Sequence, residues 1–201
     1  MATDSYLTIA QPAEAYNRER SSKFLSFAFP VENEEQIREA LEPLRKRYFD
    51  ATHHCYAWRL GPEGESFRAN DDGEPSGTAG RPILGQLLSA GVTNCLVVVV
   101  RYFGGTKLGV PGLIAAYKEA TQEVLAACQI VERTVDDRIT IYFPYVAMND
   151  VMRVIKEEQP QIEEQLFDNL CTIRLRIRRS LSERLVGRLQ KVEGATLEIQ
   201  E

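Results

Sequence analysis

Four stretches of this chain carry side chains able to do chemistry. The first is Asp71-Asp72-Gly73-Glu74-Pro75-Ser76-Gly77-Thr78-Ala79-Gly80. Carboxylates this close together are not buried together as anions unless a cation meets them. The stretch also reads as a glycine-rich loop feeding a helix start. Backbone N–H groups there favour an anion, and Ser76 and Thr78 add donors. The bland alternative is a solvated turn that caps the next helix. The second stretch is Arg101-Tyr102-Phe103-Gly104-Gly105-Thr106-Lys107-Leu108-Gly109, at the end of an apolar run. Gly104 and Gly105 allow backbone geometry closed to other residues, while Arg101 and Lys107 supply positive charge. Gly104 and Gly109 have the spacing of a P-loop, but Val110-Pro111 stand where Lys and Ser/Thr are required. The acidic and basic loops suit one another. Arg101 is therefore expected within hydrogen-bonding reach of Asp71, Asp72 or Glu74.

The third stretch is His53-His54-Cys55. On a strand, His53 and Cys55 share a face and His54 takes the other. One Cys with one His is too few ligands for zinc, and a Cys–His nucleophile pair is the reactive alternative to a structural role. The fourth is Arg174, Arg176 and Arg178, alternating with Cys171, Ile173, Leu175 and Ile177. The alternation puts the apolar set toward the helices and the arginines on an open sheet face. That face suits phosphates and bases, or is neutralised across the strands by Glu163.

Regular elements must hold these groups in place. The patterning predicts strands at Tyr6–Ala10, Ser22–Val31, Thr52–Leu60 and Asn94–Phe103. The four consecutive valines of the last require burial on both faces. Helices are expected at Glu34–Tyr48, capped by Asn33 and kinked or shortened at Pro43, at Ala79–Ala90 with Thr78 as cap, and from Pro111 to Ala127. Gly61 to Ser76 reads as polar turns. Arg133 to Asp137 is a charged connection, giving domains of residues 1–135 and 136–201. The second follows the order βαββαβ: Arg138–Pro144, Met148–Gln159, Gln161–Phe167, Leu170–Arg179, Ser182–Glu193 capped by Ser182, and Ala195–Gln200. This is the ferredoxin-like order, so the fold class is α+β.

Composition narrows the function. The 201 residues are 26% charged with a net charge of -5, against a protein that coats nucleic acid non-specifically. Residues 1–137 carry all of that imbalance and residues 138–201 are neutral, so any nucleic-acid surface is a local patch. No run reaches the roughly 18 apolar residues of a membrane span. Cys55, Cys95, Cys128 and Cys171 form no CxxC. Reduced thiols in a cytoplasmic protein follow, and no metal or cofactor is implied.

DDGEPSGTAGRPIL, then VVVVRYFGGTKLG, then PGLIAAY, with SSKF and HHCYAW before them, resemble the IMPACT/YigZ family over nearly the whole chain. Members usually carry Thr-Gly-Gly and a basic residue before the Ala-Tyr pair; here Val110-Pro111-Gly112 and Ala115 stand there. The resemblance implies an N-terminal domain like the second domain of ribosomal protein S5. It implies a C-terminal ferredoxin-like domain similar to the last domains of elongation factor G. It further implies regulation of translation, through protein partners in eukaryotic members, and transfers no catalytic residue.

The first expectation is a non-enzymatic, translation-associated protein binding RNA or the ribosome. Arg101, Gly104, Gly105 and Lys107, with Ser76 and Thr78, would serve in one domain, and Arg174, Arg176 and Arg178 in the other. One rival is a small-anion binder, hydrolase or transferase with a pocket between the DDGEPSGTAG and RYFGG loops, using His53 or His54 and the nearby carboxylates. The other is a protein-interaction module.

Overall fold

The computed structural model describes residues 4–200. In chain order the elements are β1 (Ser5–Ile9), β2 (Ala13–Glu19), β3 (Ser22–Pro30), α1 (Glu34–Arg47), β4 (His53–Leu60), β5 (Ser66–Asn70), α2 (Gly80–Ser89), β6 (Cys95–Tyr102), α3 (Gly109–Ala127), β7 (Ile130–Thr134), β8 (Asp136–Pro144), α4 (Met148–Glu158), β9 (Gln161–Leu166), β10 (Leu170–Arg178), α5 (Arg179–Leu189) and β11 (Thr196–Gln200). The protein is thus mixed α and β. Among the described residues, no helix is long and apolar enough to cross a membrane. Tyr6–Arg133 forms one compact unit. Thr134 onward, joined by Asp4 and Ser5, forms the other.

The first unit is built on an antiparallel sheet of order β2-β3-β6-β4-β5. β6 sits at its centre, and the valine run is buried on both faces as expected. Val97 and Val99 pack with Phe24, Ile83, Leu87 and Tyr117 on the side of α2 and α3. Leu96, Val98 and Val100 pack with Ile37, Leu41 and Leu44 of α1 on the other. The period-two alternation of a strand therefore divides one apolar run between two cores. Asn33 caps α1 by accepting from the Gln36 N–H, and the helix continues through Pro43 to Arg47 rather than stopping there.

Three strands depart from the sequence expectation. β5 falls in the stretch read as polar turns, β2 lies where no strand was expected, and β7 meets the charged connection only at Arg133 and Thr134. None has the apolar run of a central strand: β5 is mostly exposed and pairs only with β4 at the sheet edge, and β2 alternates half-buried with exposed residues.

The second unit is a four-stranded antiparallel sheet of order β11-β8-β10-β9. Ile139, Ile141, Phe143, Ile173 and Leu175 pack on one face with Val151 and Val154 of α4 and Leu185 and Leu189 of α5. Ser182 does not cap α5. The helix begins at Arg179, and Ser182 is buried within it.

Candidate functional site

The expected contact between the two loops exists, and Glu74 makes it. Arg101 Nη1 lies 2.6 Å from Glu74 Oε1, with both side chains almost wholly out of solvent, at 5% and 3% exposure. β6 brings Arg101 out of the central core near its C-terminal end, opposite Phe24 of β3 and His53 of β4. The guanidinium is held between aromatic faces, 5.7 Å from the Phe24 ring centre and 5.5 Å from that of Phe103. Its Nη2 donates to Ser22 Oγ at 3.3 Å, and its Nε is buried without a hydrogen-bond partner. Glu74 Oε1 also accepts the Tyr117 hydroxyl at 2.8 Å. Ion pairs this dry add little net stability but cost several kcal/mol to break, so the pair fixes where the loops sit.

Asp71 and Asp72 do other work. The Asp71 carboxylate accepts from the backbone N–H groups of Gly77, Ala79 and Gly80, at 2.8, 3.2 and 2.8 Å. Burial raises its pKa, but these amides and the charge of Arg81 outweigh that, and the net value falls below the ordinary 3.8. The start of α2, expected to hold an external anion with Ser76 and Thr78, is therefore closed by the chain's own carboxylate. Thr78 is buried and donates to the Pro75 carbonyl at 2.6 Å instead of capping α2. Ser76 is exposed beside it. Asp72 Oδ2 accepts the His54 backbone N–H at 2.6 Å.

The His-His-Cys strand does not assemble a nucleophile. Cys55 Sγ lies 3.0 Å from the Asp71 carbonyl oxygen and 3.3 Å from the Tyr117 hydroxyl. Burial, with the nearby carboxylates, pushes its thiol well up and outweighs the opposing effect of its hydrogen bond with the Tyr117 hydroxyl. His54 reaches the Tyr48 carbonyl at 2.9 Å. His53 is different. Its Nδ1 meets the Asp72 carbonyl at 2.7 Å, which places the proton on Nδ1. Its Nε2 faces Glu74 Oε2 at 3.6 Å.

These groups floor a cavity of ≈ 440 Å³ between the DDGEPSGTAG and RYFGG loops. Thr52, His53, Glu74 and Arg101 supply polar atoms; Pro75, Phe103, Leu108, Val110 and Leu113 supply apolar walls; Lys107 stands at the mouth. Lys107 has no ion-pair partner among the described residues. α3 begins here at Gly109 with no side-chain cap and no acidic residue in its first turn. Pro111 has no N–H there, and among the described residues no carboxylate meets the remaining first-turn amides as Asp71 meets those of α2.

Gly104 and Gly105 shape this mouth in two ways. A Cβ on Gly104 would lie 1.9 Å from the Ser21 carbonyl oxygen, so only glycine lets the β2–β3 turn come this close. Gly105 takes φ +91, in the region that favours glycine. The turn is tied on by Arg20 Nη1 donating to the Lys107 carbonyl at 3.3 Å and by Ser21 Oγ with Thr106 Oγ1 at 3.1 Å. Arg20 is a second cation at the rim that the sequence reading missed. The basic run NRERSSK was its one signal.

The arginine stripe lies on the side of β10 away from the helices, as the alternation predicts. Each of its members is met by a carboxylate. Arg174 Nη1 lies 2.6 Å from Glu164, Arg176 Nε 3.7 Å from both Asp136 and Glu163, and Arg178 Nε 2.5 Å from Asp4. Glu163 also takes Arg138 at 3.1 Å. The face is half of a mixed-charge lattice.

The sequence pattern of the Impact N-terminal domain matches residues 20–125. The IMPACT family member YvyE of Bacillus subtilis is 34% identical over 160 residues, covering 80% of this chain and 74% of that protein. The member YigZ of Escherichia coli is 35% identical over 144 residues, 71% of each. A solved crystal structure of a hypothetical protein superposes with a TM-score of 0.73 at 27% identity, covering 98% of this chain and 96% of that one. The loops that build the cavity lie within the matched region, and this chain belongs to the IMPACT family.

Proposed function

We propose that this chain is a cytoplasmic, non-enzymatic, translation-associated regulator that binds RNA, free or within the ribosome, through the cleft at the end of β6. The observation that carries the reading is the charge arrangement of that cleft. Arg101 is neutralised inside by Glu74, while Lys107 and Arg20 at the mouth face solvent beside the uncapped start of α3. Unpaired cations next to open helix amides suit a phosphate, and the exposed Phe103 offers a base a stacking face. The paired arginines of β10 are secondary in this reading.

Two structural readings accompany it. The βαββαβ order and the β11-β8-β10-β9 arrangement support a ferredoxin-like second unit, similar to the terminal domains of elongation factor G. The first unit is read as like the second domain of ribosomal protein S5. Fold analogy of this kind supports a ribosomal setting and specifies no ligand.

The test is a salt series of single-stranded RNA binding, by fluorescence anisotropy, on the parent and on Lys107→Gln with Arg20→Gln. Each phosphate that the protein no longer neutralises should lower the slope of log affinity against log salt by about 0.7. The expected fall is therefore about 1.4 for the pair. An unchanged slope with intact folding overturns the role of this cleft. No binding of RNA or ribosomes by the parent at low salt overturns the function itself and leaves the protein-interaction reading.

A further inference from the structure

β2 is a sheet edge without the features that keep edges from pairing. It lies outermost in the order β2-β3-β6-β4-β5, and among the described residues no backbone hydrogen bond reaches Ala13–Glu19 except along β3. It is seven residues long, keeps an unbroken register with β3, and contains no proline, lysine or bulge. Such an edge offers a row of N–H and C=O groups to another strand.

Its two faces differ. Ala13 and Ala15 pack against the core that α3 covers. Glu14 and Tyr16 stand opposite Phe27 and Leu25, which places them on the α1 side with Arg18. All three are exposed, and Tyr16, 55% exposed, borders a groove of ≈ 390 Å³. Neither Glu14 nor Arg18 has an ion-pair partner among the described residues. Arg18 also faces Lys23 across the ladder, cation against cation. That arrangement opposes pairing until a carboxylate joins it.

The order of these side chains says what the edge fits. A second copy joins an antiparallel edge about a two-fold axis, so full overlap pairs each residue with the one equally far from the other end. For β2 this sets Tyr16 against Tyr16, Glu14 against Arg18 and Arg18 against Glu14. The carboxylate that Arg18 and Lys23 lack then arrives from the second copy, and the two tyrosine rings meet at the axis. The other three edges of the two larger sheets lack this complementarity. Full overlap sets Arg68 on Arg68 in β5, Glu163 on Glu164 in β9 and Glu198 on Glu198 in β11. Like charges placed directly opposite are destabilising.

We propose that β2 is a homodimer interface, at which two copies join their five-stranded sheets edge to edge, antiparallel about Tyr16, into one continuous sheet. The inference rests on none of the residues assigned to the RNA cleft.

Sedimentation equilibrium of the intact protein at low salt tests it, from about 1 µM to about 200 µM, a range set by the micromolar affinity of a small interface. The mass should rise with concentration from monomer toward dimer. Glu14→Arg sets cation against cation at both charged pairs, and Arg18→Glu sets carboxylate against carboxylate. Each should weaken dimerisation by about tenfold or more. Both positions are exposed, so each variant should fold like the parent, with circular dichroism as the control. An equimolar mixture of the two variants restores opposite charges between unlike chains and should dimerise at least as well as the parent. A parent that stays monomeric throughout overturns the proposal, including the case in which β2 takes an extended peptide of another protein instead. Association unchanged by either variant, or a mixture that dimerises no better than its components, also overturns it, because the copies then meet through another surface.

Discussion

Replacing Arg101 by Met removes the cation from the driest ion pair of the first unit. Glu74 then keeps the Tyr117 hydroxyl at 2.8 Å and His53 Nε2 at 3.6 Å, with no permanent cation beside it, while its side chain stays 3% exposed. Solvent cannot screen a charge held that deeply, so the full cost of an orphaned carboxylate applies, about 3–5 kcal/mol. Near this unit's size, each kcal/mol lowers the melting temperature by roughly 3–5 °C. The drop should therefore be of order 10–20 °C. Trp58, the single tryptophan, is buried in the α1-side core of the same unit. Its fluorescence during thermal and urea unfolding follows this unit and no other. The double variant Arg101→Met with Glu74→Gln leaves neither charge, and the glutamine oxygen still accepts from Tyr117. It should be more stable than Arg101→Met alone by about 2 kcal/mol, since the uncompensated charge is gone. A loss below about 1 kcal/mol for Arg101→Met, the range of exposed pairs, refutes the reasoning. So does a double variant no more stable than the single one.

Asp71→Ala strips the acceptor from the amides of Gly77, Ala79 and Gly80 and should cost about 1–2 kcal/mol by urea unfolding at pH 7. The folded carboxyl is depressed, so its contribution is present above the ordinary value of 3.8 and is lost as pH falls through the lowered one; the parent and variant should converge in stability as the pH falls below that ordinary value. Gly104→Ala drives a methyl to 1.9 Å from the Ser21 carbonyl, and forcing the β2–β3 turn away should cost about 1–3 kcal/mol in a thermal melt and weaken RNA binding. Changing Arg174, Arg176 and Arg178 together to Gln should leave the salt slope of RNA binding unchanged, because carboxylates already meet these side chains. Its stability cost should be at most about 1 kcal/mol for each exposed pair.

The central elements of both units could be read from the chain because their burial leaves a period in it. The valines of β6 and the alternation of β10 are such signals, and so is the link between the acidic and basic loops, where charge balance alone demanded a partner. Edge strands β2 and β5 left none, since none of their residues is fully buried. Which carboxylate meets Arg101 was also hidden. Asp71, Asp72 and Glu74 are equivalent as sequence, and the turn divides them, spending Asp71 on α2 and Asp72 on β4. The stripe was visible, but its neutralisation by Asp4 and Glu164 depends on contacts that spacing along β10 does not encode. Arg20 left little trace because its role at the cleft comes from a turn packing on Gly104.

Mapping where RNA touches the intact protein tests the account most directly. Amide chemical shifts followed during titration with a single-stranded pentamer should move at Thr52, His53, Phe103–Val110, Gly112 and Leu113, and at Arg20 and Ser21 of the adjoining turn. Shifts confined to the β10 face around Arg174–Arg178, or no shifts at saturating RNA in low salt, would contradict it.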